Sequence, residues 1–179
     1  MCGIAGYVGN EGRGLAARMN AAQRHRGPDG EGIFEDPEAG ASLGHVHPAF
    51  LDLMAAAAQP MHSRDGRFVL VYNGEIYNYG ELRKDLEARG HTFRSTGDTE
   101  VLLYGLAERG AAFIEKLNGI FAFALWDRRE RELSLARDPA GVKPLYYTEP
   151  QPGSLLLAPG MDEMVGRAGG LSRNGRAGA

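Results

Sequence analysis

An α+β fold, with β-sheets stacked between layers of helix, is predicted for this 179-residue chain. Three observations point there. Strand-like segments open the chain, helical segments fill its middle, and strand-like segments return. The stretch "GIFAFALWD" (Gly119–Asp127) is apolar on both faces, as a strand covered on both sides should be. The 26 glycines suit many tight turns between short elements.

The elements follow in order. Residues 2–8 read as a buried strand. Residues 14–25 read as a helix, with Leu15, Met19 and Ala22 on one face. Residues 26–32, "RGPDGEG", are a loop by their turn chemistry. Residues 41–53 look extended, although Pro48 limits their pairing. Residues 66–78 hold a short strand-forming run that ends at Asn73-Gly74. The next helix has Asn78 as N-cap, Glu81 at its third position, Leu82 and Leu86 inward, and Gly90 past its end. "HTFRS" reads as a short strand, followed by helices over about 99–108 and about 111–117. After Gly119–Asp127, "RRER" makes a turn and "ELSLARD" returns as the partner strand. "KPLYYTEP" and "GSLLLAP" finish the apolar pattern. Residues 159–179 are rich in Gly, Ala and Arg with little periodicity and read as a disordered tail, so the folded domain is expected to end near 158.

Composition sets bounds on function. The apolar fraction of 43% and charged fraction of 24% are ordinary for a globular protein. A net charge of -3 gives no pull toward nucleic acid or a membrane. No window reaches the roughly 18 apolar residues of a membrane span. Nothing resembling a secretory leader precedes Cys2. One cysteine forms no internal disulfide, which leans toward a cytoplasmic setting. Metal binding is not expected. Of His25, His45, His47, His62 and His91, only His45 and His47 are close, and no ligand set completes them. The glycines at 6, 9, 12 and 14 do not match a dinucleotide fingerprint, and no organic cofactor is implied.

The lone cysteine carries the chemistry. Removal of Met1 would leave Cys2 with a free α-amine beside its thiol. That amine has an ordinary pKa of about 7.7–8.0, suited to a general base near neutral pH. One residue could then be nucleophile and base together. The competing reading is a small buried cysteine of structural value. Thiol attack on an amide also needs donors for an oxyanion. The Asn73 side-chain amide and the Gly74 N–H are a candidate pair. Asn-Gly is equally the strongest short hairpin signal.

Six motifs occur in order: "MCGIAG" at the start, "RHRGPDGEG" (24–32), "YNGEIYN" (72–78), "STGDTEVL" (95–102), "GIFAFALWD" (119–127) and "LARDPAGVKPLYY" (135–147). Together they resemble the glutaminase domain of glutamine-hydrolysing asparagine synthetases, the class II glutamine amidotransferases. Arg-Gly-Pro-Asp has the form typical of the asparagine synthetase branch. The resemblance covers about residues 2–158 and implies a four-layer αββα sandwich of the N-terminal-nucleophile hydrolase type. It implies that Cys2 attacks the glutamine side-chain amide, that Asn73 and Gly74 hold the oxyanion, and that Asp98 and Glu75 bind the α-amino end. A carboxylate opposite an ammonium group makes sense on chemical grounds alone. Asp98 also reads as a helix N-cap.

The sequence departs from the family in three places. "GHVHPAFLDL" puts His47 and Pro48 where the family has arginine and leucine. The family's arginine grips the glutamine α-carboxylate. A histidine of ordinary pKa is mostly neutral at pH 7 and makes no forked contact. Weak glutamine binding that improves toward pH 6 is therefore expected, unless another arginine, such as Arg26, substitutes. Beyond Ala158, Pro159-Gly160 replaces the family's Ser-Glu. The synthetase half and its pyrophosphate loop are absent from this sequence. The leading expectation is an enzyme that hydrolyses glutamine to glutamate and ammonia, for a synthetase domain or an ATP-dependent partner in trans. A non-enzymatic module impaired through His47 is the alternative. An amidase acting on another amide is a third.

Overall fold

The computed structural model describes residues 2–10, 12–48, 58–161 and 164. Strand β1 (Gly3–Val8) leads into helix α1 (Leu15–Ala22), then β2 (Gly30–Asp36), β3 (Ala41–His47), β4 (Met61–His62) and β5 (Phe68–Ile76). Helices α2 (Tyr79–Ala88) and α3 (Asp98–Arg109) and a 3-10 helix (Gly110–Lys116) follow. Strands β6 (Gly119–Asp127), β7 (Glu132–Arg137), β8 (Tyr146–Thr148) and β9 (Leu155–Ala158) complete the order. One sheet runs β2-β3-β1-β9-β8 and the other β4-β5-β6-β7, and the strand pairs among the described residues are antiparallel.

Strand periodicity explains the layering. Side chains alternate between the faces of each strand. Even residues of β1 (Ile4, Val8), odd residues of β3 (Ala41, Leu43) and odd residues of β5 (Val69, Val71) share one apolar cluster with Trp126 and Leu157. That cluster lies between the sheets. The opposite face of β5 (Leu70, Tyr72, Ile76) packs with Leu82 and Leu86 of α2 and Val101, Leu102 and Leu106 of α3. The opposite face of β1 (Ala5, Tyr7) packs on Leu15 and Met19 of α1. The result is the expected order of helix, sheet, sheet, helix. Strand β6 has apolar contacts on both faces, and its Phe121, Phe123 and Trp126 are fully buried. Each such side chain contributes about 2–3 kcal/mol of transfer free energy.

Helix α1 touches its sheet through amides as well as apolar groups. Buried Asn20 donates to the carbonyls of Gly32 and His45, at 3.1 and 3.3 Å. Gln23 donates to Asn20 Oδ1 at 3.1 Å. These flat-lying amides explain glycine at 3 and 44, where a β-carbon would collide with Gln23 and Asn20 respectively.

Several local expectations change. Residues 91–95 are not a strand. The backbone N–H groups of Arg94 and Ser95 donate to the Glu100 carboxylate at 2.9 and 2.7 Å, so they have no need of a neighbouring strand. Residues 26–32 are a loop only to Asp29, because β2 starts at Gly30. Asn78 is the N-cap of α2, but its side chain makes no cap bond. It reaches across to the Lys116 carbonyl and the Asn118 N–H instead. Of the segment expected to be a tail, residues 159–161 and 164 are described, and Met164 is buried against Ala5, Tyr7 and Leu15. The rest of that segment lies outside the described residues, as do residues 49–53 of the expected extended run.

Candidate active site

The site is built where β1 begins, β3 ends and β5 passes. Cys2 precedes β1 and has the parity of Ile4, which faces the space between the sheets. It is partly exposed. The β1–β3 register pairs Gly3 with Val46 and Ile4 with His45. Continued by one residue, that ladder sets Cys2 across from His47. His45 and His47 share the parity of Leu43, so they face the same inter-sheet space, and their rings stack with centroids 5.7 Å apart. The loop before β2 crosses this end of β3, and the Asp29 N–H donates to the His47 carbonyl at 3.3 Å.

Strand β5 faces them from the other sheet. Asn73-Gly74 is not a hairpin turn. The strand runs through it, pairing Asn73 with Ala122 and Gly74 with Phe121. Asn73 has the parity of Val69 and Val71, so its buried side chain is on the inter-sheet face, as Cys2 is. Glu75 shares that parity and is exposed.

Backbone parity decides where the Gly74 N–H goes. The N–H groups of Phe68, Tyr72 and Ile76 turn away from β6, to Ser63 Oγ at 2.9 Å, Gln59 Oε1 at 2.6 Å and Asp98 Oδ2 at 2.9 Å. Gly74 lies between Tyr72 and Ile76 in the same phase. Its N–H therefore points from the edge of β5 that β4, pairing only at Val69 and Leu70, leaves uncovered. An amide side chain and a backbone N–H at adjacent positions can together receive a developing oxyanion.

Asp98 is the first residue of α3, not its N-cap; that position is Gly97, without a side-chain cap bond. The Asp98 carboxylate instead takes the Tyr72 phenol at 2.6 Å and the Ile76 N–H at 2.9 Å, both on Oδ2. Burial, then the Asp98 charge and its hydrogen bond, then the nearby charges of Glu75 and Cys2, push the Tyr72 phenol far above its usual range. Of these groups, Asp98 is the one in direct hydrogen-bond contact with the phenol.

His45 is the second buried group here. Desolvation, and secondly the neighbouring His47, lower its pKa to about 3, with a small opposing influence from the Tyr72 backbone. That influence does not amount to a closed hydrogen bond, because among the described residues neither ring nitrogen of His45 has a partner of hydrogen-bond geometry. His45 is therefore a neutral imidazole. Asp138 closes the wall behind β6. Burial alone would raise it, but the N–H groups of Lys143, Val142 and Phe121 outweigh burial and hold its carboxyl below the usual range.

The structure brings Cys2, His47, Asn73, Gly74, Glu75 and Asp98 to one end of the sandwich. Sequence reasoning missed Tyr72, whose partner is 26 residues away. It met His45 only as a metal candidate. Among the described residues, no group of three His, Cys, Asp or Glu is arranged to hold a metal ion. Two surface clefts of about 290 and 340 Å³ lie elsewhere. One is lined by Arg67, Arg128 and Asp36, the other by Val8, Leu133 and Tyr147. No described helix is long and apolar enough to cross a membrane.

The sequence matches the family described as "Glutamine amidotransferase domain" over residues 1–173. It is 40% identical over 155 residues to asparagine synthetase 1 (glutamine-hydrolyzing) of Bacillus subtilis, covering 83% of this chain and 24% of that protein. It is 39% identical over 163 residues to the asparagine synthetase (glutamine-hydrolyzing) of Sandersonia aurantiaca, covering 88% of this chain and 30% of that one. The chain thus spans about a quarter of the length of these relatives. The fold is similar to that of the glutamine phosphoribosylpyrophosphate amidotransferase of B. subtilis, complexed with ADP and GMP. The TM-score is 0.74 at 22% identity, over 91% of this chain and 43% of that one. That likeness shows the fold, a sandwich of two sheets between helices. The chain belongs to the glutamine amidotransferase domain family, in the form found in glutamine-hydrolysing asparagine synthetases.

Proposed function

We propose that this domain hydrolyses the side-chain amide of glutamine through a thioester on Cys2. The observation that carries the reading is the convergence of Cys2 and Asn73 on one inter-sheet face, beside the edge of β5 that β4 leaves unpaired at Gly74. With Met1 removed, the α-amine of Cys2 takes the thiol proton as Sγ attacks the amide carbon. Negative charge grows on the amide oxygen, where the Asn73 amide and the Gly74 N–H stabilise it. The proton passes to the leaving nitrogen, the C–N bond breaks, and ammonia departs. Water then attacks the thioester, the C–S bond breaks, and glutamate leaves with the thiol restored. No other base is required.

Asp98 and Glu75 supply negative charge for the α-ammonium group of glutamine. His47 stands where the carboxylate would be gripped, and an imidazole ring lacks the fork of donors with which a guanidinium holds a carboxylate. A synthetase domain, joined to this chain or supplied in trans, is the proposed consumer of ammonia, since the relatives are about four times longer than the matched region. An enzyme-coupled assay for glutamate and ammonia tests the reading. Equimolar release, abolished by Cys2→Ala, supports it. Release that survives Cys2→Ala contradicts it.

A further inference from the structure

We propose that Tyr72 is a positioning residue: it fixes Asp98 so that one carboxylate oxygen is held within the protein while the other is presented to the substrate's ammonium group. The inference deepens the glutamine-hydrolysing reading above and rests on it.

Both donors to Asp98, the Tyr72 hydroxyl and the Ile76 N–H, belong to β5 and meet the same oxygen, Oδ2. With both donors on Oδ2, Oδ1 is the oxygen through which Asp98 would meet a ligand. A carboxylate held by one backbone donor keeps freedom about its terminal bond. Two donors on one oxygen, anchored in one paired strand, set its plane. Geometry held this tightly is what a charge-assisted contact with an ammonium group needs. The Tyr72 ring is buried among Leu70, Leu102 and Phe123, so the phenol has little room to leave. Its raised ionisation keeps the hydroxyl a donor throughout the working pH range.

The arrangement also couples two tasks. Tyr72 immediately precedes Asn73, and Ile76 follows Gly74 by two residues. The strand segment that offers oxyanion donors is therefore the segment that orients the ammonium-binding carboxylate. A substrate gripped by its ammonium group is held in fixed relation to the donors at its amide end.

The test compares glutamine with glutaric acid monoamide, which is glutamine without its α-amino group, in the wild type and in Tyr72→Phe. The variant is expected to raise KM for glutamine roughly tenfold, the loss associated with a charge-assisted hydrogen bond, with kcat little changed. Its kcat/KM for the monoamide should stay within about twofold of wild type, because that substrate never uses Asp98. In an Asp98→Asn background, Tyr72→Phe should add nothing to KM, since coupled residues are not additive. Should the Phe protein not fold, Tyr72→Met, whose flexible side chain suits the same core position, takes its place. An unchanged KM for glutamine overturns the role of Tyr72, and so does an equal loss on both amides, which marks a structural effect. A wild type that hydrolyses neither amide overturns the enzymatic reading itself.

Discussion

Gly74 lies against Phe121 across the β5–β6 ladder so closely that a β-carbon on it would sit 2.7 Å from Phe121 Cα and 2.8 Å from Tyr72 Cε2. The Ile120 carbonyl closes the third side. Two of these three neighbours are backbone, which cannot swing aside as a side chain does.

Gly74→Ala is therefore expected to destabilise the fold by about 3 kcal/mol, the upper part of the usual overpacking range. Urea unfolding followed by far-ultraviolet circular dichroism measures it. A midpoint equal to wild type would show that this strand pair has slack the packing does not indicate.

Asn73 has a different signature. Its side chain is a donor needed chiefly when charge reaches the amide oxygen. Asn73→Ala should lower kcat for glutamine about 100- to 1000-fold with little change in KM, as expected for one oxyanion donor. Steady-state kinetics decide. A rise in KM with kcat retained would assign Asn73 to substrate binding.

His47→Arg should strengthen glutamine binding. A guanidinium can make the forked, charge-assisted contact that an imidazole ring cannot. A gain of about 1.5–3 kcal/mol corresponds to a KM roughly ten- to a hundredfold lower. The comparison is made at pH 7.5, where a free imidazole is uncharged. An unchanged KM in the arginine variant would mean that the α-carboxylate is held elsewhere, with Arg26 the first residue to replace.

His45 makes stability depend on pH. Its folded pKa is about 3, against 6.5 for the free side chain. Below pH 6.5 the unfolded chain binds a proton that the folded chain refuses. The stability from keeping His45 neutral is thus fully present above 6.5 and is lost as pH falls toward 3. The slope approaches about 1.4 kcal/mol per pH unit in that window. Denaturant melts from pH 4.5 to 7.5 should show this slope in the wild type and a flatter one in His45→Gln. Parallel curves would contradict the assignment.

The layers of the fold were legible because β6 carries an apolar run that needs cover on both faces, and strand-like segments flank the helices of the middle. Helix α2 was legible from Leu82 and Leu86 at helical spacing. Residues 91–95 misled because Thr92 and Phe93 suit a strand, whereas the carboxylate of Glu100 claims the backbone of Arg94 and Ser95. The Asn73-Gly74 pair had two local meanings, a turn or a donor pair in a strand. Only the partner strand, Gly119–Asp127, decides between them, through the ladder it forms with β5. Asp98 likewise had a local reading as a cap, and its true partners, Tyr72 and Ile76, are more than twenty residues away. Contacts of that range leave no trace in local pattern.

The central claim is that the processed amino terminus is the nucleophile. Intact-mass measurement of the purified protein, before and after treatment with a thiol-reactive diazoketone analogue of glutamine, tests it most directly. The account predicts a chain lacking Met1 that gains one adduct, mapped to Cys2 and suppressed by excess glutamine. A chain that retains Met1, or that gains no adduct at Cys2, would contradict it.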